Sequence, residues 1–219
     1  MKTAKKAMLL TVCALVLVAA TVMGTMAYLT AGDSVTNTFV AGKLLEKKDD
    51  FFLKEKTAVP AGDGNYNLQL PLVQENKYTV IPGKNLPKDP FVSVKVKANG
   101  YLFLEVINCL PETMTFAIDD TQWIELKDDD GNPVLKDEHP IYTRKAGKIA
   151  TASVAETLNI LKDQQVVVSP ALDVNSLSTA DDVPAKTLSF NAYLIQADAE
   201  GFEDAFDAWT ALVAEMAKP

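Results

Sequence analysis

The sequence has few of the side chains that metal-dependent or nucleophilic catalysis uses. It contains one histidine, His139, and two cysteines, Cys13 and Cys109. A single histidine excludes a zinc site built on a pair of histidines, and the HExxH motif, the P-loop and the GxGxxG loop are all missing from the sequence. These absences predict that the protein is not an enzyme, with no catalytic residue and no metal or cofactor beyond the weak calcium site considered below.

An excess of positive charge is missing as well. The 219 residues include 21 Lys and Arg against 29 Asp and Glu, which gives a net charge of −8. Because nucleic acids are polyanions, a non-specific binder needs a basic surface, so we expect no nucleic-acid partner. Hydrophobic residues make up 48% of the chain, which predicts a folded rather than a disordered protein.

The N-terminal segment has the pattern of an export signal. Three of the first six residues are lysines, and an uncharged stretch, Ala7 to Gly32, follows them. Thr25 and Ala27 then supply small side chains at the −3 and −1 positions of a signal-peptidase site, so we predict cleavage before Tyr28. The alternative is an uncleaved membrane anchor, because the uncharged stretch is long enough to span a bilayer.

Cleavage would define residues 1–27 as the signal peptide, make signal peptidase a partner, and limit membrane contact to the time before processing. It would also remove three lysines and Cys13, so that the net charge becomes −11 and Cys109 is the only cysteine left. An intramolecular disulfide is then excluded. We interpret Cys109 as a small core residue, with a reactive thiol or an intermolecular bridge as the alternatives.

The remainder, residues 28–219, is predicted to form a single, mainly β domain. Phe91–Ala98 alternates apolar and polar residues, and Tyr101–Ile107 is apolar on both faces, as a central strand would be. A hairpin with the three-residue loop Ala98–Gly100 would place the apolar faces of the two strands together, pairing Val96 with Leu102. The alternative is that the two strands belong to opposite sheets and do not pair.

Many short strands separated by turns favour an antiparallel sandwich. The stretch Ile149–Leu161 fits either a strand or a helix. The turn-rich segments are 60–65, 82–85 and 128–133. The further predicted strands are Asn37–Leu45, Tyr78–Ile81, Thr115–Ile118, Trp123–Leu126, Ile141–Arg144, Val166–Val168 and Leu188–Ile195.

One amphipathic helix is predicted at the C-terminal end, over residues 202–217. Its apolar residues recur every three or four positions, which places them on one face that we expect to pack on the sheet. Both tryptophans, Trp123 and Trp209, are predicted to be core residues. The apolar positions of the helix are Phe202, Phe206, Trp209, Val213 and Met216.

The acidic run around Asp128 and Asp130 is the one candidate calcium site. In an EF-hand loop the glycine at position six, here Gly131, would place Leu126 at position one, where it cannot ligate calcium. We therefore interpret the run as a turn between strands, with a weak surface site at the two aspartates as the alternative. His139 is expected in an exposed loop.

Three groups of residues resemble the TasA/camelysin family of exported proteins from Gram-positive bacteria. The first is Gly24–Thr30 followed by Asp33–Lys43, which spans the cleavage site and a Thr-Asn-Thr-Phe strand. The second is Tyr78–Gly83 with Lys88–Val92 and the apolar strand Tyr101–Val106, and the third is Ala192–Ala197 with Gly201-Phe202 and Ala208-Trp209. Together they cover about a third of the chain, and residues 110–187 carry none of them.

This resemblance implies a jelly-roll-like antiparallel β-sandwich that is secreted to the cell surface or the extracellular matrix. It also implies processing by a SipW-type signal peptidase. Subunits of TasA-like members assemble into biofilm fibres by donating the mature N-terminal strand to a neighbour. Here the N-terminal strand segment is 28–43, and Val35, Phe39 and Val40 are the side chains expected to fill a groove on the neighbour.

Two other functions remain as alternatives. Camelysin members are described as surface metallopeptidases, but the only histidine that could serve as a zinc ligand here is His139. A monomeric surface-binding module for carbohydrate or host protein is the other alternative.

The cleavage prediction is tested by the N-terminal sequence of the secreted protein. We expect it to begin at Tyr28, because Thr25 and Ala27 fit the peptidase site. A protein that begins at Met1 in a membrane fraction would contradict the prediction and favour the anchor.

Overall fold

The structure is a computed structural model that describes residues 44–173, 177, 187–197 and 202–217. Several predictions lie outside these residues and stay predictions. They are the signal peptide 1–27, its cleavage residues Thr25, Ala27 and Tyr28, and the segment 28–43 with Val35, Phe39 and Val40.

The described residues form twelve strands and one α-helix, and all strand pairs are antiparallel. One sheet has the order β10-β4-β1-β2, a second β3-β11-β6, and the third β12-β5-β9-β7 with β8 paired to β9. The elements are β1 (Phe51–Gly62), β2 (Asn65–Val73), β3 (Leu86–Pro87), β4 (Phe91–Val94), β5 (Gly100–Asn108), β6 (Met114–Thr115), β7 (Trp123–Glu125), β8 (Leu135–Lys136), β9 (His139–Arg144), β10 (Glu156–Asn159), β11 (Gln165–Val168), β12 (Leu188–Gln196) and α1 (Ala205–Met216).

The main core lies between the sheets. Successive side chains of a strand point to opposite faces, so Leu102 and Leu104 of β5 face the same side. They share one hydrophobic cluster with Phe51 of β1 and with Val92 and Val94 of β4. The prediction of a mainly β fold with antiparallel sheets packed together and a C-terminal helix is confirmed.

Helix α1 covers the other face of β5, which explains why this strand is apolar on both faces. The carboxylate of Asp204 caps the helix by accepting the backbone N–H of Phe206 at 2.7 Å and that of Asp207 at 3.0 Å. The Trp209 ring lies 5.2 Å from the Phe103 ring and 5.7 Å from the Tyr193 ring. Trp209 and Trp123 are both buried, as predicted.

The packed face of α1 differs slightly from the predicted one. Val213 was placed on it but is 39% exposed, whereas Ala208 and Leu212 are buried beside Trp209. The contact of the helix with the sheet is therefore centred on Trp209, with Ala208 and Leu212 beside it, and Val213 lies at its margin.

The predicted hairpin between Phe91–Ala98 and Tyr101–Ile107, which correspond to β4 and β5, is wrong. The alternative, that these two strands belong to different sheets and do not pair, is confirmed. β4 pairs with β1 and β10, whereas β5 pairs with β12 and β9. Between them the chain crosses from one sheet to the other, and Gly100 donates its N–H to Ile149 at 3.0 Å. Matching apolar faces are needed both for pairing within a sheet and for packing across a sandwich, so the pattern alone could not separate the two.

The longest hairpin, β1–β2, was not predicted beyond its turn. Gly62, Asp63 and Gly64 have positive φ angles and make the turn within the predicted segment 60–65. The flanking strands contain Pro60 and Pro71, which argue against strands in a sequence, and the half of the hairpin near the turn buries no side chain.

Other strand predictions are mixed. Those beginning at Trp123, Ile141, Val166 and Leu188 correspond to β7, β9, β11 and β12. Tyr78–Ile81 is not a strand, and Thr115–Ile118 is reduced to Met114–Thr115. The ambiguous stretch Ile149–Leu161 holds strand β10 and no helix.

Replacing Trp209 by alanine tests how much α1 contributes. We expect Trp209→Ala to lower the free energy of unfolding by about 3–5 kcal/mol, because loss of the buried ring leaves a cavity beside Phe103 and Tyr193. Urea denaturation measures the change. The exposed neighbour Thr210 provides the control, since Thr210→Ala should cost no more than about 0.5 kcal/mol. Equal effects of the two substitutions would contradict this role.

Candidate functional site

The longest unbroken edge strand among the described residues is β12. It pairs with β5 over its whole length, from Leu188 to Gln196, and no described strand pairs with its other side. We call that other side the free edge of β12. The edge strand of the four-stranded sheet, β2, contains Pro71 and two irregularities in its register with β1, both of which disfavour further pairing.

The hydrogen bonds at the two ends of β12 define which backbone groups face the free edge. Ala197 donates its N–H to Asn99 at 2.7 Å, and Cys109 donates to Thr187 at 2.9 Å. In this register the odd-numbered residues of β12 bond to β5. The N–H and C=O groups that point to the free edge therefore belong to Leu188, Phe190, Ala192, Leu194 and Gln196.

These outward-facing residues are nonetheless buried. Ala192 and Leu194 are 0% exposed, and Leu188 and Phe190 are below 9%. Backbone groups that are removed from water need hydrogen-bond partners. The free edge of β12 thus has the properties of a site that receives a further strand.

Two features lie at the end of β12 near Gln196. The Oε1 atom of Gln196 is buried and has no hydrogen-bond partner among the described residues. Leu44, where the described chain begins, lies at the same end. A methyl group placed on Gly100 would be 3.3 Å from Leu194 Cδ1 and 3.5 Å from Leu44 Cδ1. Leu44 therefore lies beside this end of the free edge.

A buried polar cluster fixes β12 to its sheet. The Glu105 carboxylate accepts hydrogen bonds from Tyr193 Oη at 2.5 Å and from Asn191 Nδ2 at 2.8 Å, and it pairs with Lys136 Nζ at 3.3 Å. Glu105 is 1% exposed, so these partners replace the water that a carboxylate would otherwise need. Burial first, and then the hydrogen bond to Glu105, raise the pKa of Tyr193 to about 12.

The acidic run forms the predicted turn. Asp128 Oδ1 accepts the N–H groups of Asp130 at 3.0 Å and Asn132 at 2.8 Å, and Gly131 has a positive φ angle. The hydrogen bonds from Asn132 are the main reason that the pKa of Asp128 is lowered. This geometry gives Asp128 a structural role in the turn, and calcium binding at Asp128 and Asp130 stays untested.

Two single residues lie elsewhere than predicted. Cys109 is exposed rather than buried in the core, because it follows β5 where the strand leaves the covered part of the sheet. His139 is the first residue of β9 and is half-buried, rather than part of an exposed loop. Within the described ranges, no three His, Cys, Asp or Glu side chains are grouped to hold a metal ion.

No helix in the described part of the chain is long and apolar enough to cross a membrane. Comparison with known proteins finds no matching family model, curated protein or solved structure. The resemblance to the TasA/camelysin family therefore rests on the sequence motifs alone.

Sequence reasoning identified β12 as a strand but missed its free edge. Leu188–Ile195 has only two polar residues, Ser189 and Asn191, and such a composition usually indicates a strand in a central position. This pattern does not indicate whether the strand pairs with one other strand or with two.

The raised pKa of Tyr193 predicts a pH dependence. The folded state favours the neutral phenol, so the stabilisation is complete below pH 10.0 and is lost as the pH rises towards about 12. Tyr193→Phe should lower stability at pH 8 and should weaken the fall in stability above pH 10. Chemical denaturation at both pH values tests this. A variant with the same alkaline slope as the wild type would contradict it.

Proposed function

We propose that the protein is a secreted structural subunit of the cell surface or extracellular matrix. It assembles when the mature N-terminal segment of one subunit adds as a strand to the free edge of β12 on another. The observation that carries this proposal is the edge itself, whose outward backbone groups are buried and have no strand partner among the described residues.

Strand addition uses main-chain hydrogen bonds for affinity and alternate side chains for register. The segment 28–43 has the composition for this role, because Thr36-Asn37-Thr38-Phe39-Val40 is rich in residues that favour strands. Val35 and Phe39 would share one face of the added strand and Val40 the other. Proteolytic release before Tyr28 would free the segment to pair.

The position of Leu44 allows the same edge to be filled in two ways. The segment is tethered beside the Gln196 end of β12, so it can reach the edge of its own subunit. A closed monomer would result. Exchange of the same strand between subunits would replace this internal contact by an identical external one, which is the low-cost route of domain swapping. The resemblance to TasA-like fibre subunits supports the exchanged form.

Removal of the donor tests the assembly. We expect the mature protein, residues 28–219, to form oligomers or filaments, and the same protein without residues 28–40 to remain monomeric. Phe39→Asp should act like the deletion, because a charge cannot enter an apolar groove without a partner. Light scattering and electron microscopy measure the result. Val154→Asp is the matched control, since Val154 is an exposed apolar residue outside the segment.

A peptide test shows whether the shortened protein carries an acceptor site. A synthetic peptide of residues 28–43 should bind the deletion variant and show much weaker binding when it carries Phe39→Asp. Filaments that survive the deletion, or a wild-type protein that is monomeric at high concentration and binds no peptide once shortened, would overturn the proposed function.

A further inference from the structure

A second buried polar cluster lies on β1 and is independent of the free edge. It consists of Glu55, Lys88 and Asn76, which we call the Glu55 cluster. Glu55 is 2% exposed, and its two carboxylate oxygens lie 3.3 Å and 3.1 Å from Lys88 Nζ. The Lys88 side chain is 15% exposed, so this amine is largely removed from water.

The Asn76 amide is held in a fixed orientation beside the same carboxylate. Its Oδ1 atom accepts the N–H of Ala58 at 2.7 Å, and its Nδ2 atom donates to the carbonyl oxygen of Lys56 at 2.7 Å. The side chain also lies close enough to Glu55 to form a hydrogen bond that lowers the pKa of its carboxyl. Glu55 is therefore in contact with an amine on one residue and an amide on another.

The neighbouring charge of Asp89 has partners of its own, although it also contributes to the raised pKa of the Glu55 carboxyl. Asp89 is also buried, but its carboxylate is used by the N–H of Lys56 at 3.0 Å and by Lys56 Nζ at 3.1 Å. Burial raises the pKa of the Glu55 carboxyl, and the opposing effect of Lys88 is smaller. A buried carboxyl with a raised pKa accepts a proton from a buried ammonium more readily than an exposed carboxyl does.

We propose that Lys88 and Asn76 join in an intramolecular isopeptide bond, with Glu55 as the proton carrier. The ammonium of Lys88 first gives a proton to the Glu55 carboxylate. The free Nζ lone pair attacks Asn76 Cγ, and the carbonyl electrons move to Oδ1, where the N–H of Ala58 stabilises the negative charge. Glu55 protonates Nδ2 and takes the second proton from Nζ. The Cγ–Nδ2 bond then breaks, ammonia leaves, and Glu55 remains protonated.

The bond would hold a weakly paired part of the fold. Between Asn76 and Lys88 the only strand is β3, which has two residues. The new bond would close this stretch into a ring against β1. A mature protein with Cys109 as its only cysteine has no internal disulfide, so an isopeptide bond is the covalent alternative for an exported chain.

Intact mass spectrometry of the purified mature protein tests the proposal. We expect a mass below that of the sequence by one ammonia molecule. Tryptic digestion should release residues 57–77 linked to residues 85–95, because a modified Lys88 is no longer cleaved. Lys88→Arg, Asn76→Ala and Glu55→Gln should each restore the full mass and the separate peptides.

Lys84→Arg is the matched control, since Lys84 is exposed and lies four residues away on the same stretch of chain. It should keep the ammonia loss. A folded wild-type protein with the full, unmodified mass would show that the Glu55 cluster is an ion pair only and would overturn the proposal. An ammonia loss that maps to other peptides, or that persists in Lys88→Arg, would overturn it as well.

Discussion

Burial of both faces of the sheet that contains β5 and β12 is the constraint on which the rest depends. One face belongs to the sandwich core and the other is covered by α1. Most side chains of both strands are therefore apolar on both sides, and the single carboxylate among them, Glu105, needs a full set of internal partners. The same constraint makes the free edge of β12 unusual, because a strand this well covered is normally paired on both sides and no strand of the described ranges pairs there.

The two buried glutamates show different solutions to the cost of burying a carboxylate. Glu105 has three donors from two other strands, Lys136 on β8 and both Asn191 and Tyr193 on β12, and so connects β5 to each of them. Glu55 has a lysine and an amide on a segment with little regular structure. The three donors to Glu105 are sufficient for a purely structural role. The amine of Lys88 and the amide of Asn76, which both contact the Glu55 carboxyl, are in addition groups that can react with each other.

The predicted fold class follows from residues whose patterns are simple. The apolar run of β5 and the helical spacing around Trp209 both predict their elements, because burial dictates the period of each. Pairing partners could not be predicted, since Val92 and Val94 match Leu102 and Leu104 equally well within a sheet and across the core. The β1–β2 hairpin was missed because the half near its turn buries no side chain and so shows no hydrophobic pattern, and because Pro60 and Pro71 argue against strands. The cluster at Glu105 joins residues 31 to 88 positions apart and the cluster at Glu55 joins residues 21 to 33 positions apart, and no local sequence pattern indicates such contacts.

The proposed exchange of the N-terminal strand between subunits has a consequence for filament growth. In a filament built by this exchange, each subunit would donate one strand to the next subunit and receive one from the previous subunit, so the filament would have two chemically different ends. One end exposes an unfilled edge and the other an unused strand. Elongation at the two ends would then proceed at different rates, and a shortened subunit that accepts but cannot donate would stop growth at one end alone.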